Sequence, residues 1–161
     1  MSDFYLGIDP GISGAFSVLD KGGAIVQVFD MPTLSYTSGK SIKQRVNPQS
    51  IVAELRLFKT QSIEGIIEQV NAMPGQGVTS MFSFGRSLGI LEGVLAGVDM
   101  PYKLVTPAVW KKIMGVNSSK DGAREMAMRT WPSKSDLFKR KKDDGRAESA
   151  LLALYLLKTS K

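Results

Sequence analysis

Tyr5-Leu6-Gly7-Ile8-Asp9-Pro10-Gly11-Ile12-Ser13-Gly14-Ala15 is the stretch that decides the fold of this chain. Residues 4–8 read as a buried strand, Pro10 and Gly11 mark a turn, and residues 15–19 resume as a second strand. The result is a hairpin with one carboxylate, Asp9, at its mouth. Asp is also favoured in turns, where its side chain bonds backbone N–H groups. On this stretch alone Asp9 is either a turn former or the first candidate for an active site.

Outward from the hairpin, Gly22-Gly23 supplies a second turn, and residues 24–31 read as a third strand ended by Pro32, which completes a meander. Residues 33–48 are rich in Ser, Thr, Gly and Lys and contain no acid; they read as an exposed basic loop carrying Lys40, Lys43 and Arg45. Pro48 starts a helix whose apolar face is Ile51, Val52, Leu55 and Phe58. Residues 63–70 read as a fourth strand, with Glu64, Ile66 and Glu68 on one face. A Glu in an apolar core strand is costly unless it is paired or binds a cation. Glu68 lies near the strand's C-terminal end, where open sheets form their crevices, so it is a second site candidate.

Thr79 or Ser80 can cap a helix over residues 79–97, in which Gly85, Gly89, Gly93 and Gly97 recur every four residues. Each Gly costs a helix about 1 kcal/mol relative to Ala. The stripe therefore predicts a close approach, either of the helix to the sheet or of two copies in a dimer. Residues 101–105 read as a fifth strand leading into a short helix with Pro107 in its first turn and Lys111 and Lys112 beyond. Asn117-Ser118-Ser119 can cap a helix over residues 120–131, with Ala123, Met126 and Ala127 inward and Lys120 at its start. After a run containing Lys141 and Lys142 comes Asp143-Asp144-Gly145-Arg146-Ala147-Glu148, entering a strongly apolar helix. Asp144 and Glu148 share one helix face, where like charges repel unless a cation sits between them. Asp143 competes as the first partner, and the helix dipole alone already favours acids at both Asp143 and Asp144.

At 161 residues the chain is expected to be one domain, spanning 1–161, large enough to need no disulfide or metal staple. The absence of His and Cys excludes thiol nucleophiles, Ser-His-Asp triads and His- or Cys-ligated zinc. Carboxylates without them are oxygen-only ligands, suited to magnesium or manganese. A net charge of +6 points to a polyanionic partner, with nucleic acid as the default. No apolar run is long enough to span a membrane, and the first strand begins too early to leave room for a leader, so a cytoplasmic protein of bacterial or phage type is expected.

The order of elements, a three-strand meander followed by helix crossovers, is that of a ribonuclease H-like α/β domain. It implies a five-stranded mixed sheet of order 3-2-1-4-5 flanked by helices, with Asp9 and Glu68 in one crevice and the last helix bringing Asp144 and Glu148 over it. Four such carboxylates would be prohibitive as bare anions, whereas two divalent cations turn their repulsion into binding and support phosphodiester hydrolysis. The basic stretches would then hold phosphates on either side.

Gly7-Ile8-Asp9-Pro10-Gly11, Ile67-Glu68-Gln69-Val70, Val105-Thr106-Pro107 with its following lysines, Lys120, and Asp144-Gly145-Arg146-Ala147-Glu148 together resemble the RuvC Holliday-junction resolvase family over nearly the whole chain. The resemblance implies a structure-selective endonuclease that resolves four-way DNA junctions by paired symmetric nicks, leaving 5′-phosphate and 3′-hydroxyl ends. It implies Asp9, Glu68, Asp144 and Glu148 as catalytic metal-binding acids, two Mg2+ or Mn2+ ions per site, and Lys111, Lys112 and Lys120 as DNA-phosphate contacts. Lys40, Lys43, Arg45, Lys141 and Lys142 are further DNA-binding candidates. The family acts as a homodimer, which raises the weight of helix 79–97 as the dimer surface. Bacterial members end in Asp-x-x-Asp, whereas the four-residue spacing here is similar to phage and organellar members. They also carry a base-stacking aromatic three residues after the strand's Glu, where this chain has Asn71; Met73, Met81 and Phe82 are the candidate substitutes. The rival readings are a nuclease of the same fold acting on forks or RNA–DNA hybrids, an ATP-binding domain of the actin and sugar-kinase type, and a non-catalytic junction-binding protein.

Overall fold

The computed structural model describes residues 1–160. Its main sheet holds five strands, β1 (Phe4–Asp9), β2 (Ala15–Asp20), β3 (Ile25–Asp30), β6 (Ile63–Glu68) and β7 (Tyr102–Val105), in the order β3-β2-β1-β6-β7. β1 runs antiparallel to β2 and parallel to β6. This is the expected sheet, renumbered because two further strands intervene. Residues 33–46 are not an irregular loop: β4 (Thr33–Ser38) and β5 (Ser41–Val46) form a separate antiparallel hairpin. Its turn is Gly39-Lys40, with Gly39 at φ 62°, the left-handed backbone that tight two-residue turns require. Polar residues on both faces of the hairpin hid it from a reading based on hydrophobic alternation.

Two layers of helices cover the sheet. α1 (Pro48–Leu55) and α2 (Val78–Gly97) lie on one face, where Ile51, Leu55, Leu91, Val94 and Leu95 pack against Leu6, Ile8, Phe16, Val18 and Ile67. On the other face α3 (Pro107–Met114), α4 (Gly122–Thr130) and α5 (Asp144–Thr159) bury Tyr5, Leu19 and Ile66 beneath Trp110, Ala127, Leu151 and Leu152. The alternation of a strand sends Leu6 and Ile8 to the first layer and Tyr5, Gly7 and Asp9 to the second. On β6 the same rule sends Ile67 to the first layer and Ile66 and Glu68 to the second. The parallel register pairs Gly7 with Ile66 and Ile8 with Ile67, so one more step along both strands sets Asp9 beside Glu68.

Helix boundaries differ from the sequence expectation at the caps. Gly77, not Thr79 or Ser80, precedes α2, and Asp121 precedes α4. Asn117 instead accepts a bond from the Ser119 N–H within the loop before α4. Among the described residues nothing approaches the glycine stripe of α2: a Cβ added at Gly85, Gly89, Gly93 or Gly97 would meet no atom within 4 Å. The close approach occurs elsewhere. A Cβ on Gly7 would stand 2.0 Å from the Ser149 carbonyl oxygen and 2.5 Å from the Ala153 nitrogen, so α5 lies directly on β1. No helix among the described residues is long and apolar enough to cross a membrane.

Candidate active site

Asp9 ends β1 and Glu68 ends β6, so both carboxylates emerge at one edge of the sheet on the face that α5 covers. α5 supplies the third acid. Because Gly7 and Gly145 carry no side chains, the N-terminal turns of α5 settle against the β1–β2 connection; a Cβ at Gly145 would meet the Ser13 carbonyl oxygen at 2.7 Å and Asp9 Oδ2 at 3.1 Å. A buried hydroxyl contact, Ser17 Oγ to Ser149 Oγ at 2.6 Å, fixes the same helix against β2. One residue before Ser149, Glu148 reaches the two strand acids. Carboxylate oxygens of Asp9, Glu68 and Glu148 all lie within 4.8 Å of one another.

Each of the three is held protonated to a higher pH than an ordinary carboxyl. Asp9 is pushed up most, by burial first and then by the charges of Glu148, Glu68 and Asp144. Burial and the Glu148 charge raise Glu68. Burial also raises Glu148, against the opposing pull of Lys111. Lys111 Nζ bonds Glu148 Oε1 at 2.7 Å. Burial alone would lower the Lys111 amine, but that bond and the Glu148 charge outweigh it and raise it instead. Trp110, fully buried, donates its indole N–H to Glu68 Oε2 at 2.6 Å. The sequence reading passed over Trp110; the available signal was a Trp next to a site lysine, whose indole N–H needs an acceptor once buried.

Asp144 lies one turn before Glu148 on α5, outside the cluster of three but on the rim of a cavity of about 450 Å³. Glu148, Lys111, Lys112 and Lys120 line the same cavity, so the expected basic cluster and the last acid pair do converge. Asp143 is turned away. Its carboxylate takes the Arg140 backbone N–H at 2.9 Å and the Arg140 guanidinium at 2.8 Å, and these outweigh burial to hold its pKa low. Arg146 is similarly occupied, with a two-point contact to Asp30 at 2.7 and 2.8 Å. Lys141 and Lys142 sit exposed in a short 3-10 turn before α5 and do not line that cavity. Lys43 and Arg45 are on β5 and Lys40 at the hairpin turn, where they border a different groove or none.

Three oxygen-donor groups of like charge, Glu68 buried and Asp9 and Glu148 half-buried, close enough to share one ion and unaccompanied by any His or Cys, fit a hard divalent cation and could hold it. The linkage has a definite sign. All three acids have folded pKa values above their unfolded ones, so their contribution to stability is fully present below about pH 4 and is lost as pH rises through the raised values. A bound cation offsets that loss. With magnesium at about 100 times its pH 8 Kd the melting temperature should rise by roughly 5–10 °C at pH 8, corresponding to about 2.7 kcal/mol, and by less with the same magnesium concentration at pH 5. Melting curves in chelator and in magnesium at both pH values test this; equal shifts at pH 5 and pH 8 would count against the cluster as the binding site.

No protein-family model matches the sequence, and comparison with the curated proteins finds no match. Solved structures do match. Thermus thermophilus RuvC in complex with Holliday junction substrate is similar at 12% identity and a TM-score of 0.57, over 94% of this chain and 91% of that one. A further Thermus thermophilus RuvC structure is similar at 14% identity and a TM-score of 0.52, over 98% of this chain and 96% of that one. At such identities the likeness is one of backbone architecture. It extends over nearly the full length of both chains, and with the mixed sheet and its two helical layers it gives this chain a RuvC-like, ribonuclease H-like fold.

Proposed function

We propose that the chain is a divalent-metal-dependent endonuclease that resolves four-way DNA junctions. The observation that carries the reading is the half-buried Asp9, Glu68 and Glu148 cluster, whose Glu148 lines a cavity together with Lys111, Lys112 and Lys120. Charge of both signs at such proximity suits a phosphodiester, whose bridging oxygens need electrostatic help while its neighbours need anchoring. The RuvC structure that the chain resembles is bound to a Holliday junction, which favours this substrate over a hybrid or a fork.

In this reading Asp9, Glu68 and Glu148, with Asp144 at the margin, would hold two Mg2+ or Mn2+ ions. Such a pair would supply Lewis acidity for the attacking water and for the leaving 3′ oxygen. The protein's own part is positional. Trp110 fixes the Glu68 carboxylate from behind, α3 carries Lys111 and Lys112 to the flanking phosphate, and Lys120 holds the strand from the loop before α4. Lys111 has a second use: its ammonium lies against Glu148 and offsets part of the repulsion in the cluster. The glycine face of α2, open along its length and continued by the exposed Val78 and Phe82, supports a homodimer through α2. Two copies would give the paired nicks that a two-fold junction requires.

The test compares end-labelled four-way, forked and RNA–DNA hybrid substrates with magnesium and with chelator. Symmetric nicks in the four-way junction, with magnesium only, are expected; preferential cutting of the hybrid or fork would reassign the substrate, and binding without cutting would leave a junction-binding protein. In sedimentation the chain should run as twice its 17.5 kDa mass, and Gly89→Leu as a single chain.

A further inference from the structure

We infer that the groove between the β4–β5 hairpin and the N-terminal half of α2 holds unpaired nucleotides of a DNA strand beside the catalytic crevice. This deepens the nuclease reading above and rests on it. The groove encloses about 570 Å³; Tyr36, Lys43 and Arg45 form one wall, Phe84 and Arg86 the other, and Gly11 lies at its end. Gly11 is two residues from Asp9, and the Phe84 ring stands 3.5 Å from the point a Gly11 Cβ would occupy. The groove therefore starts at the turn that carries the first acid.

Its chemistry selects the occupant. Residues 31–53 and 69–91, which supply nearly all of the lining, contain no Asp or Glu, so nothing in the walls repels a phosphate. In the hairpin Tyr36 pairs directly with Lys43, and Arg45 lies two residues on, so an aromatic ring and two cations share one face. The Arg45 guanidinium lies 5.9 Å from the centre of the Tyr36 ring. Tyr36 and Phe84 are 39% and 41% exposed, which leaves both rings accessible although each would gain by burial. Aromatic faces interleaved with cations are the surface that binds unpaired strands, through base stacking and phosphate contacts together. A duplex cannot use the rings, because its base faces are already covered by their neighbours in the stack.

The test uses the full-length protein in chelator, so that binding is read apart from cleavage, with a 15-nucleotide oligothymidine carrying one central 2-aminopurine and a duplex of the same length. Wild type should bind the single strand more tightly than the duplex and quench the 2-aminopurine. Tyr36→Ala should lose about tenfold in single-strand affinity together with the quenching, and Tyr36→Phe should restore both. The doubly substituted Lys43→Ala, Arg45→Ala protein should lower the slope of log affinity against log salt by about 1.4. Both sites are on a solvent-exposed hairpin, so unfolding is not expected, and circular dichroism checks it. Single strand and duplex bound equally, with all variants like wild type, would overturn the groove. Cleavage of the four-way junction is scored separately: its absence with the binding results intact would overturn the nuclease reading and support the groove, whereas cleavage without single-strand preference overturns the groove alone.

Discussion

Asp9→Asn should lower the rate of junction nicking by about 10³-fold or more while leaving the affinity for the junction within a few-fold of wild type. The substitution keeps the shape of the side chain and removes only its charge, at the position where burial and three neighbouring acids press hardest on it. A neutral amide is a poor ligand for a hard cation, so the chemistry fails. Binding should survive because, in the proposed reading, the phosphates are met by Lys111, Lys112 and Lys120, none of which Asp9 touches as a partner. The variant should also melt higher than wild type in chelator at pH 8, since one member of a repelling trio is gone. Gel-shift and cleavage assays on one four-way substrate separate the two effects, and nicking within tenfold of wild type would remove Asp9 from the mechanism.

Much of this site was legible in the sequence because parity and register are local rules. Asp9 and Glu68 each follow an apolar strand, and the alternation of side chains puts both on the same face once the strands are parallel neighbours. Glu148 followed from helical spacing, but spacing could not choose among the acids that precede it. The choice is made by Arg140, whose bonds to Asp143 leave Asp144 as the acid facing the cavity. That selection depends on a contact across a tight turn, which charge pattern alone does not determine. Trp110 escaped for a similar reason: its bond to Glu68 spans 42 positions in the chain. The hairpin over residues 33–46 was missed because neither of its faces is buried enough to impose an apolar period.

The glycines make the sharper contrast, and they carry the second large effect. Periodicity drew attention to the α2 stripe, where an added Cβ would meet nothing among the described residues, while the glycines on which the site depends are single ones with no repeat to announce them. Gly7→Ala should therefore destabilise the protein by about 3 kcal/mol or more, with a fall in melting temperature of roughly 6–12 °C. The added methyl would meet backbone atoms of α5 at Ser149 and Ala153, which cannot rotate aside as a flexible side chain would. Relief requires α5 to lift from β1, and Glu148 travels with it, out of reach of Asp9 and Glu68. A displacement of about 1 Å at that carboxylate is enough to cost about 10²-fold in rate, so the folded fraction should be correspondingly slow even where melting shows it to be intact. Thermal denaturation paired with single-turnover cleavage below the melting transition measures both. A Gly7→Ala protein that melts and cuts like wild type would mean that α5 does not rest on β1 as closely as the three-acid cluster requires.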